Sequence, residues 1–213
     1  MKSIFPPLIK AQGLYLRRGG QTLISDLSFS LYEQERLALR GPAGIGKSSL
    51  LNALMGFVPL QRGQLTILGL PLHTAQDFIP LRGQVGYVFQ SPEDQLFCPT
   101  VLDDVCFGPL NLGATPADAR AQAMAQLDQL QIRDLASRAC ATLSGGQQRL
   151  VALAGVLVMQ PKVLLLDEPT TFLDAAAAER VQEVLLACGL PMIFTTHDEA
   201  CAQALATRSL YLA

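Results

Sequence analysis

Four short apolar runs punctuate the chain: Leu37–Arg40, Val85–Phe89, Val163–Leu166 and Met192–Thr195. Runs of this length without polar alternation predict strands covered on both faces. Helix-length patterns lie between them, so the chain is expected to form an α/β fold with a mostly parallel sheet and crossover helices. The first thirty residues and Gln64–Leu68 are β-type with no helix between them, and predict an antiparallel flank; Arg208–Ala213 predicts a last strand.

Strand signals vanish between Ser91 and Leu143. Within that block, Thr115–Ile132 sets Ala119, Ala123, Leu127 and Leu130 on one stripe and predicts an amphipathic helix. Thr115 as N-cap, Pro116 at the first helical position and Asp118 two residues later resemble a capping-box start. The richest apolar run, Leu150–Met159, lies between Arg149 and Gln160-Pro161. It falls short of the roughly 20 residues that span a bilayer, so it predicts a buried helix. The expected plan is one domain over 1–213, with a core of 1–90 plus 144–213 and a helical insertion over 91–143.

Composition narrows the picture. The 213 residues are 50% apolar and 16% charged, with a mean hydropathy of +0.30; disorder needs the opposite balance. Sixteen basic against 18 acidic side chains leave a net charge of −2, without the basic excess that nucleic-acid binding draws on, so no nucleic-acid partner is expected. The N-terminus MKSIFPPLIK has Pro6-Pro7 where a signal peptide needs an apolar stretch, and no export is expected. Cys98, Cys106, Cys140, Cys188 and Cys201 form no C-x-x-C pair and are expected to be reduced thiols.

The chemistry is carried by Gly41, Pro42, Ala43, Gly44, Ile45, Gly46, Lys47 and Ser48, which match G-x-x-x-x-G-K-[ST] between a strand and a helix. Glycines let backbone N–H groups turn toward phosphates, and the helix N-terminus adds positive potential. Lys47 is placed to reach the β- and γ-phosphates, and Ser48 to ligate Mg²⁺. The strand Val163–Leu166 ends in Asp167-Glu168. Alone, that also reads as a strand-end turn; beside a phosphate loop, Asp167 reads as the metal acid and Glu168 as the general base.

Leu143-Ser144-Gly145-Gly146-Gln147 then identifies the family: the chain resembles the ATP-binding cassette (ABC) ATPases, whose signature is L-S-G-G-Q. The resemblance covers essentially the whole chain and implies a P-loop NTPase (RecA-like) core. It implies ATP and Mg²⁺ as ligands, and a head-to-tail dimer with a second copy or a paralogue. There Ser144, Gly145, Gly146 and Gln147 would meet the phosphates of ATP held by the other subunit. By the same resemblance Gln90 contacts Mg²⁺ and the attacking water, His197 bonds the γ-phosphate, and Asp174 lines the dimer interface. Three positions depart from the family's pattern. The adenine-stacking aromatic aligns with Arg17, with Tyr15 one alternate strand position earlier, and either could serve. Ser49 stands where Thr is commoner. The chain stops where many relatives continue through a hairpin and helix, so contacts carried by such a tail are expected to be absent.

After Gln90 the run SPEDQLFCPTVLDDVCFGPLNLG resembles the energy-coupling-factor group, especially its cobalt and nickel importers. This implies a peripheral ATPase on the cytoplasmic face of the inner membrane. An integral transport subunit would dock near Gln90 and 91–110, against Leu96, Phe97, Val101 and Phe107. Cargo would be a transition-metal ion or a vitamin. The competing readings are an ABC exporter ATPase and a soluble ABC ATPase acting on nucleic acid, although the coiled-coil or zinc insertions usual in the latter are missing. A P-loop kinase or GTPase would lack N-K-x-D and leave L-S-G-G-Q unexplained.

Overall fold

The computed structural model describes residues 6–212; the leader reading rests in part on residues 1–5, and the last strand's Ala213 also lies outside this range. Strands β1 (Ile9–Arg18), β2 (Gln21–Leu31), β4 (Arg62–Ile67) and β5 (Leu70–Leu72) form the antiparallel sheet, in the order β2-β1-β4-β5. Strands β3 (Arg36–Arg40), β6 (Val85–Val88), β7 (Val163–Leu166), β8 (Met192–Thr195) and β9 (Arg208–Tyr211) form a wholly parallel sheet, ordered β6-β7-β8-β3-β9.

The apolar runs of β7 and β8 are buried at every position because both faces of the parallel sheet are covered. Val163, Leu165 and Ile193 point into a cluster shared with α1 (Lys47–Leu54) and the antiparallel sheet. Leu164, Leu166 and Phe194 point the other way, into a second cluster. That cluster is built with α2 (Val101–Asn111), α3 (Pro116–Gln129), α4 (Gly145–Leu157), α5 (Ala175–Ala187) and α6 (Glu199–Leu205). The most apolar run of the sequence therefore falls in a buried helix, α4. Among the described residues no helix is long and apolar enough to cross a membrane.

Helix α3 starts at Pro116 as its sequence predicts, but it ends at Gln129, three residues early, because Gln131 turns to φ +58°. The cap also differs from a reciprocal box: Thr115 accepts from the Asp118 N–H at 3.2 Å, while its hydroxyl donates to the Asp118 carboxylate at 2.6 Å. Strand β6 stops at Val88, one residue before the sequence suggested, because side chains rather than a neighbouring strand bond Phe89. Val101, expected at a docking surface, is fully buried at the first position of α2 and belongs to the core. The five cysteines are free, with Cys106, Cys140 and Cys201 buried.

Candidate active site

The phosphate loop leaves the carboxyl end of β3 and runs into α1, in the crevice where open α/β sheets bind ligands. Gly41 has φ +141°, and a Cβ there would lie 2.5 Å from the Leu212 carbonyl oxygen. Gly46, at the N-cap of α1, has φ +109° and makes no side-chain cap. Both positions need glycine, and the first turn of α1 is left for an anion rather than for a capping side chain. Lys47 is buried, and its ammonium donates to the carbonyls of Gly41 at 2.8 Å and Pro42 at 3.0 Å.

Around the loop runs a continuous hydrogen-bonded chain. The Ser48 hydroxyl donates to Asp167 Oδ1 at 3.0 Å, and the Thr195 hydroxyl donates to the same oxygen at 2.6 Å. Thr195 in turn accepts the Glu168 N–H at 2.8 Å. This bond holds Glu168 at φ +48°, a conformation that costs a non-glycine residue about 1 kcal/mol or more. Glu168 Oε2 accepts from the Thr171 hydroxyl at 2.9 Å and lies 2.9 Å from His197 Nδ1. An ionised carboxylate only accepts, so Nδ1 carries the proton in that contact. Asp167 and Glu168 are both buried, while His197 is exposed. Ser48 and Asp167 offer a pair of hard oxygen donors that fits a small divalent cation.

A cavity of about 400 Å³ is lined by Ala43, Gly44, Gly46, Lys47, Ser48, Ser49, Gln90, Glu168 and His197, together with Arg18 and Leu23. Tyr15 and Arg17 are not among these residues. The Tyr15 ring lies under the Arg62 guanidinium at 6.0 Å, and Arg17 donates to the Gly20 carbonyl at 2.6 Å. Register shifts between Leu14 and Leu16 and between Leu16 and Arg17 break the strict alternation from which the face of Arg17 had been inferred. Arg18 and Leu23 therefore occupy the rim. Thr195 was missed as well: its place at the carboxyl end of a strand is legible, but its place beside the acidic pair comes from the pairing of β7 with β8.

The signature turn and Asp174 lie outside this cavity. Ser144 caps α4, accepting from the Gln147 N–H at 3.3 Å, while Gln147 Oε1 accepts from the Ser144 N–H at 3.1 Å. The Ser144 hydroxyl proton remains free to be donated outward, and Ser144 and Gly145 are exposed. Asp174 caps α5, accepting from the Ala177 N–H at 2.8 Å. The two helix starts are pressed together: a Cβ on Gly146 would come within 2.7 Å of the Ala177 Cβ. Between Glu168 and Asp174, Phe172 has φ +65° and is 92% exposed.

A second, larger cavity of about 800 Å³ opens between β6, α2 and α4. Its aromatic lining is Phe57, Phe78, Tyr87, Phe89, Phe97 and Phe107. Phe97 is 64% exposed and packs edge-on against Phe107, with ring centroids 4.7 Å apart. Leu96 is half-buried at the same wall. Asp104, also in the lining, accepts from the N–H groups of Phe97 and Cys98, and burial pushes its pKa up.

A sequence model described as ABC transporter matches residues 24–171. An uncharacterized ABC transporter ATP-binding protein of Haemophilus influenzae is 44% identical over 205 residues, which cover 96% of this chain and 94% of that protein. The cobalt import ATP-binding protein CbiO of Rhodobacter capsulatus is 45% identical over 207 residues, covering 95% and 74%. Among solved structures, cbiO1 from Clostridium perfringens, part of the ABC transporter complex cbiONQ, superposes with a TM-score of 0.86 at 30% identity. That superposition covers 97% of this chain and 84% of the other.

Proposed function

The chain belongs to the ABC transporter family as an ATP-hydrolysing subunit, and from that premise we propose how its residues divide the reaction and what it drives. The carrying observation is the chain of hydrogen bonds from Ser48 through Asp167 and Thr195 to Glu168 and His197, of which Ser48, Glu168 and His197 line one cavity with Lys47. Lys47 exchanges the carbonyls of Gly41 and Pro42 for the β- and γ-phosphates, and the amides of 41–49 and the α1 N-terminus hold the same oxygens. Glu168 polarises the attacking water. Both of its observed contacts fall on Oε2, which leaves Oε1 for that water. His197 bonds the γ-phosphate. Ser48, Asp167 and Gln90 would hold Mg²⁺, which when bound neutralises charge on the β- and γ-phosphates. Arg18 and Leu23, rather than Tyr15 or Arg17, meet the base.

Ser144–Gln147 and Asp174 act on a second molecule's nucleotide, which accounts for their position outside the cavity of their own chain. In this reading residues 91–143 form the helical lobe of a single ATPase domain. The apolar groove receives an integral membrane subunit near Gln90 and 91–110, at the cytoplasmic face. The name of the Rhodobacter protein supports import of cobalt as the transport reaction.

The test is Glu168→Gln. The variant should bind ATP and elute as a dimer with ATP and Mg²⁺ while turnover falls by at least about a hundredfold, the scale of losing a general base. Used as bait in solubilised membranes, the trapped dimer should retain an integral subunit whose cargo can then be measured. Hydrolysis at the parental rate would remove Glu168 from its role.

A further inference from the structure

Phe89 and Gln90 are consecutive, yet they belong to different cavities: Phe89 lines the apolar groove and Gln90 lines the nucleotide cavity. The peptide joining them is the shortest covalent link between the two. It lies past the end of β6, so no strand satisfies its backbone groups. They are satisfied by side chains instead. Arg149, from the second turn of α4, donates Nη1 to the Phe89 carbonyl at 2.5 Å and Nη2 to the Gln90 carbonyl at 2.6 Å. On the other side, Gln95 accepts the Phe89 N–H at 3.0 Å and donates to the Ala152 carbonyl of the same helix at 3.4 Å. The whole Phe89–Gln90 segment is thus gripped from α4.

Arg149 is only 1% exposed, and its Nε has no hydrogen-bond partner. Burial pushes its pKa down to about 10, and the charge of Asp167 acts in the opposite direction. A buried cation bonded to neutral carbonyls is a costly way to fill a core position, since an apolar side chain of similar volume avoids the desolvation. Its geometry suits another task. A guanidinium is a rigid planar fork, and it fixes two acceptors relative to each other and to the helix that bears it.

We infer that Arg149 is a positioning residue that clamps the Phe89–Gln90 peptide to α4, so that Gln90 and the signature turn at the start of the same helix move as one body. The inference rests on the role proposed for Gln90. Anything that displaces Phe89 from the groove side then moves Gln90 in the nucleotide cavity and Ser144 at the surface together. Conversely, a phosphate bound at Ser144 draws on Gln90 through the helix.

Hydrogen exchange on the full chain, with and without a non-hydrolysable ATP analogue and Mg²⁺, tests the clamp. In the parent, peptides covering 89–97 and 143–149 should gain protection together. In Arg149→Lys, which keeps the charge but loses the fork, protection of 143–149 should persist while that of 89–97 is lost. Kinetics give a second readout. R149K should lower kcat about tenfold with KM for ATP within about twofold, and Arg149→Met should lower kcat further, since a misplacement of about 1 Å costs up to about a hundredfold. Lysine thus rescues methionine in part. If R149M fails to fold, R149K and the exchange data decide. Parental kcat in R149K, or parental protection of both segments, overturns the clamp. Gln90→Ala separates the two ideas: parental turnover in that variant removes the role of Gln90 and with it the kinetic readout, and the exchange pattern then judges the grip of Arg149 by itself.

Discussion

Gly146 sits where two helix starts meet, and its missing side chain sets their separation. A methyl group there would meet the Ala177 Cβ at 2.7 Å, with backbone behind both atoms. Gly146→Ala should therefore destabilise the chain by about 1–3 kcal/mol, the usual range for overpacking. Adding Ala177→Gly should recover most of that loss, which paired denaturation curves would read; no recovery would mean that the strain lies elsewhere. The residues that stand out in the sequence are those whose chemistry is written in a local motif: Lys47, Ser48, Asp167 and Glu168 lie within a few residues of their motif partners, and the fold brings them together. Arg18 and Thr195 did not stand out, for different reasons. The face of Arg18 depends on irregularities in strand pairing that no alternation rule contains. Thr195 takes its meaning from hydrogen bonds to Asp167 and Glu168, nearly thirty residues away.

At the scale of elements, α4 joins three tasks: its first turn presents Ser144, its second turn grips Phe89 and Gln90, and its third lines the apolar groove. Its composition reflects them unequally. The run from Leu150 onward announces burial, but nothing in sequence marks Arg149 as buried, because an arginine beside an apolar stretch ordinarily lies at the surface. Strands β7 and β8 were legible to the residue, since burial on both faces leaves no polar alternation to blur their ends. The ends of β6 and α3 were not, being set by the side-chain bonds at Phe89 and by the left-handed turn at Gln131. Gly155 is a separate matter: it lies inside α4, and a Cβ there would meet nothing within 4 Å. Gly155→Ala should raise stability by about 0.5–1 kcal/mol, the helix-propensity difference, while taking a methyl's width from the groove. Unchanged or lower stability in denaturant titrations would show that the helix is already strained at that point.

For the molecule as a whole, the apolar surplus of the sequence divides between interior and surface. Val101 goes to the core, while Phe97 and Phe107 face the groove and Phe172 faces water between Glu168 and Asp174. Composition alone could not make that division, because it depends on which elements each side chain leans against. The parallel sheet adds something that neither cavity reveals. Successive residues of one strand, such as Ile193 and Phe194, serve opposite hydrophobic clusters. Neither cluster can loosen without baring the strands that support the other. Heat should therefore melt residues 91–143 and the two sheets in a single cooperative transition, with calorimetric and van't Hoff enthalpies that agree. Two resolved endotherms would show instead that the helices of 91–143 melt as an independent unit, and the sheet would then be a boundary between two thermal domains rather than the seam that makes them one.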